Sequence, residues 1–320
     1  MTEFKAKTSR GKKKGFLSRF SAYDKKKSAE LILICLPAIL KVFVFSYIPM
    51  VGIIMAFQNF IPRKGLLHST WMGFSNFEYL LKSSTVTRLI TNEILLNVLI
   101  IVFTTAVSLL LGLFLFEVVS KSFVKVAQIV IIFPYFASWP LVDVLLSSFI
   151  GTENGMLTKW IEKTFSTNID IYSMPQLWRG IITFANVWKT AGLSAVVYYA
   201  VLLGVDKEVY EAAGIDGAGR FRTMVSISLP YLKQMVVLNT IISSANILRI
   251  DFNMVYFLTE NKAALYPTTD VIETYMFRIL RTEGDVSVTA ATGLVQGVIG
   301  LILTLILNAL SKKTLGESLY

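Results

Sequence analysis

The most informative spacing in the chain lies between residues 205 and 231. Glu211-Ala212-Ala213 is followed after three residues by Gly217, and after nine more by Ile227-Ser228-Leu229-Pro230. Residues 206–213 can begin a helix capped by Asp206. Gly214, Gly217 and Gly219 allow a sharp reversal. A second short amphipathic helix then leads to Pro230, which is placed to start the next apolar segment. The product is a helix–turn–helix in which Ala212 and Ala213 permit close approach. Its chemistry is mechanical: docking to a soluble partner, with an ordinary long connector as the plainer alternative. Covalent chemistry has little to work with. One histidine, His68, provides no metal cluster and no Ser–His relay, and one cysteine, Cys35, makes an intramolecular disulfide impossible. No Gly-x-x-x-x-Gly-Lys-Ser/Thr cradle exists, because Gly11, Lys12 and Gly15 stand in the wrong context, so the chain binds no nucleotide by itself.

A second set of residues has types suited to passing a polar solute. Within otherwise apolar segments lie Asn186, Trp188, Lys189, Thr190, Tyr198 and Tyr199, and then Asn239, Ser243, Ser244, Asn246, Arg249 and Asp251. Polar side chains at membrane depth are functional candidates by default. Ser243 and Asn246, three apart, share a helix face, where interhelical hydrogen bonding is the alternative use. Trp188 and the tyrosines serve equally as packing or interface aromatics. Arg249 and Asp251, two apart, cannot share a face. Lys41 and Lys189 are placed to snorkel or to face a bundle.

The elements that must position these residues are membrane helices. The chain has 320 residues, of which 54% are apolar and 16% charged, with a mean hydropathy of +0.61. Soluble domains are nearer ~45–50% apolar and ~25% charged. Disordered, collagen-like and disulfide-rich classes are excluded by the same figures. A helix crossing the bilayer needs ~20 residues, and six windows qualify: 31–57, 94–116, 123–150, 180–204, 232–258 and 286–310. Pro37 and Pro49 interrupt the first and Pro134 and Pro140 the third, which membrane helices tolerate when neighbours re-satisfy the freed carbonyls. Arg249 and Asp251 make the fifth window the least regular. Gly293, Gly297 and Gly300 form a small-residue stripe on the last, read as a close-packing surface. The fold class expected is therefore all-α, a polytopic membrane protein with six transmembrane helices. Its divisions are a basic tail at 1–30, a membrane-spanning body at 31–312 and a short tail at 313–320.

Charge orients this arrangement. Residues 1–30 hold ten Lys/Arg against three acids, +7 of the net +10. A run of this kind can bind nucleic acid. Adjacent to an apolar span and lacking interleaved aromatics, it reads as a retention signal on the cytoplasmic side. It is not a cleavable leader. With both termini inside, the inner segments carry 16 Lys/Arg in 73 residues and the outer segments 10 in 92. This agrees with the positive-inside bias and places 205–231 on the cytosolic face.

Glu211, Ala212, Ala213, Gly217, Ile227, Leu229 and Pro230, at these spacings between spans four and five, resemble the signature loop of ABC importer permeases. The wider form Tyr210-Glu-Ala-Ala-Gly-Ile-Asp-Gly-Ala resembles the carbohydrate-uptake, maltose-type family. So do Tyr47-Ile48-Pro49-Met50, Ala56-Phe57-Gln58-Asn59-Phe60 and Gly73-Phe74-Ser75-Asn76-Phe77. Thr269-Asp270-Val271-Ile272-Glu273-Thr274-Tyr275 resembles its complex-carbohydrate subgroup. The resemblance covers roughly residues 30–312. It implies a permease subunit, without cofactor or catalytic residue, that forms the path for a sugar delivered by an extracellular substrate-binding protein. It also implies a second permease chain and two separate ATP-binding subunits, seated on the Glu-Ala-Ala loop, in a bacterial cell membrane. Asn186, Ser243 and Asn246 fall at offsets from Glu211 similar to those of sugar-contacting positions in maltose-type permeases, with Trp188 and Tyr198 beside them. The outer loop 151–179 and the first outer loop are the implied docking surfaces for the binding protein. Import of a peptide or polyol phosphate, or secondary transport without an ATPase, are the competing readings.

Overall fold

A computed structural model describes residues 22–152, 155–167 and 169–315. The basic residues from Lys5 to Arg19 and the last five residues lie outside them. The chain divides at Ile54 into two units. The first is helix α1 (Ala22–Val42), which continues through a π turn at Phe43–Tyr47 into a 3-10 segment, Ile48–Phe57, that crosses the division. Glu30–Phe57 is long and apolar enough to cross a membrane. The helical hydrogen bonding tightens where Pro49 withdraws its amide. Lys25, Lys26 and Lys27 already belong to α1, so no structural break separates the end of the basic segment from the first span.

The second unit begins with a two-stranded hairpin, β1 (Gln58–Asn59) and β2 (Thr70–Trp71), enclosing α2 (Gly65–His68) and followed by α3 (Ser75–Lys82). Asn76 pins the hairpin by donating to the carbonyls of Ala56 and Gln58 at 2.8 and 3.0 Å. Then come α4 (Ser84–Glu117), α5 (Lys121–Ile132), α6 (Trp139–Ile150), α7 (Met156–Phe165), α8 (Pro175–Leu203), α9 (Lys207–Ile215) and α10 (Arg220–Thr223). The chain closes with α11 (Leu229–Ala245), α12 (Phe252–Leu258), α13 (Tyr266–Thr269), α14 (Ile272–Thr282) and α15 (Val286–Leu315).

Among the described residues five helical runs qualify as spans, and α5–α6 supplies a sixth only as a pair bent by 99°. Pro134 and Pro140 flank that bend, where the freed backbone groups of Tyr135 and Ala137 become hydrogen-bond acceptors. The fifth window differs from the sequence expectation. The continuous run is Arg220–Ala245, which begins earlier than 232 and passes straight through Pro230. A π turn at Met224–Ser228 absorbs the amide that Pro230 lacks. The run stops at Ala245, well before 258. Asp251 then accepts the amides of Asn253 and Met254 and starts α12 anew.

The parallel pair α4–α8 is the spine: Asn92 meets Arg179 at one end and Ser108 meets Ala191 toward the other. A Cβ at Gly112 would stand 3.0 Å from the carbonyl oxygen of Ala195, and one at Gly192 would stand 1.8 Å from that of Ile131. These two glycines let α8 approach α4 and α5 closely. Buried Ser108 donates to the carbonyl of Ala191 at 3.0 Å across the first contact. Among the described residues the stripe Gly293/Gly297/Gly300 is not such a contact: only Gly293 has a neighbour within 4 Å there, the sulfur of Met276. Leu113, Tyr198, Leu202 and Leu232 form a core near the 205–231 end. A larger core around Trp178, Ile182, Leu258 and Leu265 fills the opposite end.

Candidate functional site

At one end, α8 leads through Gly204 into α9. Asp206 stands at the N-cap position but caps with no side-chain hydrogen bond. The helix ends in a Schellman motif: the Gly217 amide bonds to the carbonyl of Gly214 at 3.1 Å and that of Ala218 to the carbonyl of Ala213 at 2.9 Å. Gly217, at φ +74°, is the one glycine of the three in the left-handed region. Tyr210 fixes α9 to the spine, its ring 5.2 Å from that of Phe116 and its hydroxyl 3.2 Å from that of buried Ser228. Ile215 and Phe221 project outward, 88% and 75% exposed. Glu211 and Ala212 are also exposed, while Ala213 and Ile227 are half-buried. Leu229 and Pro230 are exposed on the first turn of α11. The seven motif residues therefore occupy one continuous helix–turn–helix, with an apolar tip held on a rigid base.

The second candidate region is a polar cleft of about 620 Å³ between α8, the α5–α6 bend and the start of α12. Lys189 donates to the carbonyls of Tyr135 and Ala137, both at 2.6 Å, with its ammonium 5.3 and 5.4 Å from the rings of Tyr135 and Trp139. The indole of Trp139 donates to Asp251 at 2.6 Å. Asn186 lines the same cleft, donates to the sulfur of Met254 at 3.2 Å, and receives the hydroxyl of Thr190 on its carbonyl at 2.8 Å. Aromatic faces, an ammonium, a carboxylate and amides thus share one cavity, which suits a hydroxylated solute.

Of the sequence candidates, Asn186, Lys189, Thr190 and Asp251 line this cleft. Trp188 points away, into an apolar groove of about 610 Å³ lined with Phe103 and Phe184. Tyr198 is buried and receives the Asn239 amide at 3.4 Å. Asn246 caps the end of α11 and donates to the carbonyl of Ile242 at 3.2 Å, and the carbonyl of Ser243 accepts the Asn246 amide at 3.1 Å. Ser243 and Asn246 do not line the cleft that Asn186 lines; Asp251 and Asn253, beyond the break after Ala245, do. Tyr135, Trp139 and Asn253 are the residues that sequence reading passed over; their signal was the Pro134/Pro140 interruption. Among the described residues no group of three or more His, Cys, Asp or Glu gathers to hold a metal.

At the end opposite α9, a polar network joins α4 to the segment 266–282. Buried Asp270 accepts Arg88 at 3.0 Å and Arg278 at 2.9 Å. Fully buried Glu93 receives the Ile272 amide at 3.0 Å, and Gln296 donates to Glu273 at 2.8 Å. In the loop before α8, Asp170 accepts Ser173, Thr152 and the Tyr172 amide, and these hydrogen bonds hold its carboxyl below the usual range.

Residues 104–316 match the family of binding-protein-dependent transport system inner membrane components. Protein LplB of Bacillus subtilis (strain 168) is 32% identical over 92% of each chain. A polygalacturonan/rhamnogalacturonan transport system permease protein, YteP, of the same organism is 32% identical over 91% of this chain and 90% of its own. A crystal structure of a bacterial ABC transporter that imports the acidic polysaccharide alginate superposes with a TM-score of 0.81 at 29% identity, covering 91% of this chain and 98% of that one. A second, solved with a periplasmic protein holding an alginate pentasaccharide, gives 0.82 at 28% identity over 93% of this chain and 99% of that one.

Proposed function

Since this chain belongs to the family of binding-protein-dependent transport system inner membrane components, we propose that it is the membrane permease of an ATP-driven importer for an oligosaccharide. Two of its relatives support the solute class, one named for polygalacturonan and the other for alginate. The observation that carries the mechanism is the helix–turn–helix at 205–231, which offers Ile215 and Phe221 to solvent while Tyr210 locks it to α4 and α11. An exposed apolar tip on a rigid base is what a force-transmitting joint requires.

In this reading 205–231 faces the cytosol and seats on a separate ATP-hydrolysing subunit. A second permease chain completes the path, a binding protein delivers the sugar outside, and both termini are cytosolic. ATP-driven closure pushes α9; the push passes through Tyr210 to Phe116 on α4 and through Ser228 to α11, which reorients the helices around the cleft. Lys189, using two of its three protons on backbone carbonyls, offers the third to a sugar hydroxyl. Trp139 and Tyr135 present ring faces and Asn186 an amide.

Reconstitution of the chain in liposomes tests this directly. ATP-dependent uptake of an oligosaccharide that needs the second permease, the ATPase and the binding protein together is the expected result. Uptake that persists without the ATPase would make the chain a secondary carrier.

A further inference from the structure

One cluster at the end opposite α9 remains unused by the transport cycle as described. Three guanidiniums gather there around one carboxylate. Arg88 and Arg278 both pair with Asp270, whose side chain is wholly buried. Arg179 finds no carboxylate among the described residues and donates instead to the amide oxygen of Asn92 at 2.8 Å. Asn92 in turn donates to the Asp270 carbonyl at 3.1 Å. Each guanidinium also keeps a buried nitrogen without a hydrogen-bond partner: Nε of Arg88, Nε of Arg179 and Nη1 of Arg278. A buried donor on a charged group left unpaired is costly. Three such donors at one place mark a cluster that something else completes.

Between α4 and α8 the cluster opens into a pocket of about 460 Å³, lined by Ser84, Thr87, Arg88, Thr91, Asn92 and Arg179. No carboxylate lines it. Hydroxyls and two guanidinium forks do, a set that matches a carboxylate bidentately and hydrogen-bonds the hydroxyls beside it. Arg179 and Asn186 are seven residues apart on α8, so they project from the same side about 10 Å apart along the axis. The pocket therefore stands above the polar cleft on one helix face.

We propose that this pocket binds the carboxylate of an acidic sugar unit, making the importer selective for uronate-bearing oligosaccharides over neutral ones. This rests on the transport reading above and deepens it, with Arg179 as the specificity-determining residue. Arg88 shares its charge with Asp270, whereas the charge of Arg179 is left for the ligand.

The test is equilibrium binding of trigalacturonate to the assembled importer in nanodiscs of zwitterionic lipid, beside its methyl-esterified, uncharged counterpart. Trigalacturonate should bind more tightly than the ester. Arg179→Gln should weaken the acid by about tenfold or more and leave the ester unchanged. Arg179→Lys, which keeps the charge but not the fork, should recover part of the loss and thereby exclude misfolding. Thr87→Ala should weaken the acid more mildly. Acid and ester binding alike, with Arg179→Gln moving neither, would overturn the proposal while leaving ATP-driven sugar uptake standing. Absence of any ATP-driven sugar uptake by the unmodified importer would instead overturn the transport reading. Inorganic phosphate competing as well as trigalacturonate would make this a general anion site and remove the sugar assignment. Phosphatidylglycerol retained in an Arg179-dependent way, with trigalacturonate binding indifferent to Arg179→Gln, would give the pocket to a lipid headgroup.

Discussion

The ring of Tyr210 packs 5.2 Å from that of Phe116, joining the helix that carries Glu211 to the last full turn of α4. The same tyrosine reaches Ser228 through its hydroxyl. Any displacement of α9 is therefore felt at once by α4 and by the run that becomes α11.

Tyr210→Ala removes both contacts and should uncouple the two ends. ATPase activity measured in proteoliposomes should persist while sugar uptake falls. Tyr210→Phe keeps the ring contact and should retain most uptake.

Gly217 sits at φ +74°, and proline is confined to about −65°. Gly217→Pro should abolish transport while the protein still inserts, as judged by its yield in the membrane fraction. Glu211→Ala, at an exposed position, should act more mildly and be visible as weaker co-purification of the ATPase. Uptake by Gly217→Pro at the unmodified rate would remove the docking role.

Lys189 and Asp251 line the same cleft and are bridged by the Trp139 side chain. A charged hydrogen bond to solute is worth about 1.5–3 kcal/mol, so Lys189→Ala should lower uptake roughly tenfold or more. Association with the ATPase should not change, and co-purification separates this effect from that of Glu211→Ala.

Asp270 pairs with two guanidiniums from a fully buried position. Removing one partner of a buried ion pair costs about 3–5 kcal/mol because the other charge is stranded. Asp270→Asn should lower the thermal midpoint in detergent markedly, and the surface pair Lys82–Glu78, broken by Glu78→Gln, should barely move it.

Asp170 supplies a pH signature. Its folded carboxyl lies below the ordinary value because Ser173 and Thr152 donate to it. Its stabilising contribution is present above the unfolded carboxylate pKa and is lost as pH falls through the lower, folded one. Hydrogen exchange of residues 169–174 should accelerate over that acidic interval, and Asp170→Ala should exchange fast at every pH.

Much of this was legible in the residues and some was not. The helix–turn–helix follows from the glycines, Gly217 above all, and the apolar segments on either side, whereas the expected side-chain cap by Asp206 is not made. What sequence periodicity lacks is a signal for helices that stop inside an apolar stretch. The window through Arg249 and Asp251 stayed apolar on average; the two charges made it the least regular of the six but did not place the break at Ala245. Asp251 and Asn253, beyond that break, line the cleft with Asn186, and Ser243 and Asn246 do not. Likewise Arg88 and Glu93 looked like loop residues flanking a span. They belong to α4 because Asp270 and Ile272, nearly two hundred positions away, satisfy them. Pairing at such distances is invisible to local pattern.

The central claim is that residues 205–231 face the cytosol and are covered there by an ATPase. The most direct measurement is maleimide labelling of Ile215→Cys after the single native cysteine has been changed by Cys35→Ser. A membrane-impermeant reagent should leave intact cells unlabelled, modify stripped inverted vesicles, and be blocked when the ATPase is added back. Modification of Ile215→Cys from outside intact cells would contradict it.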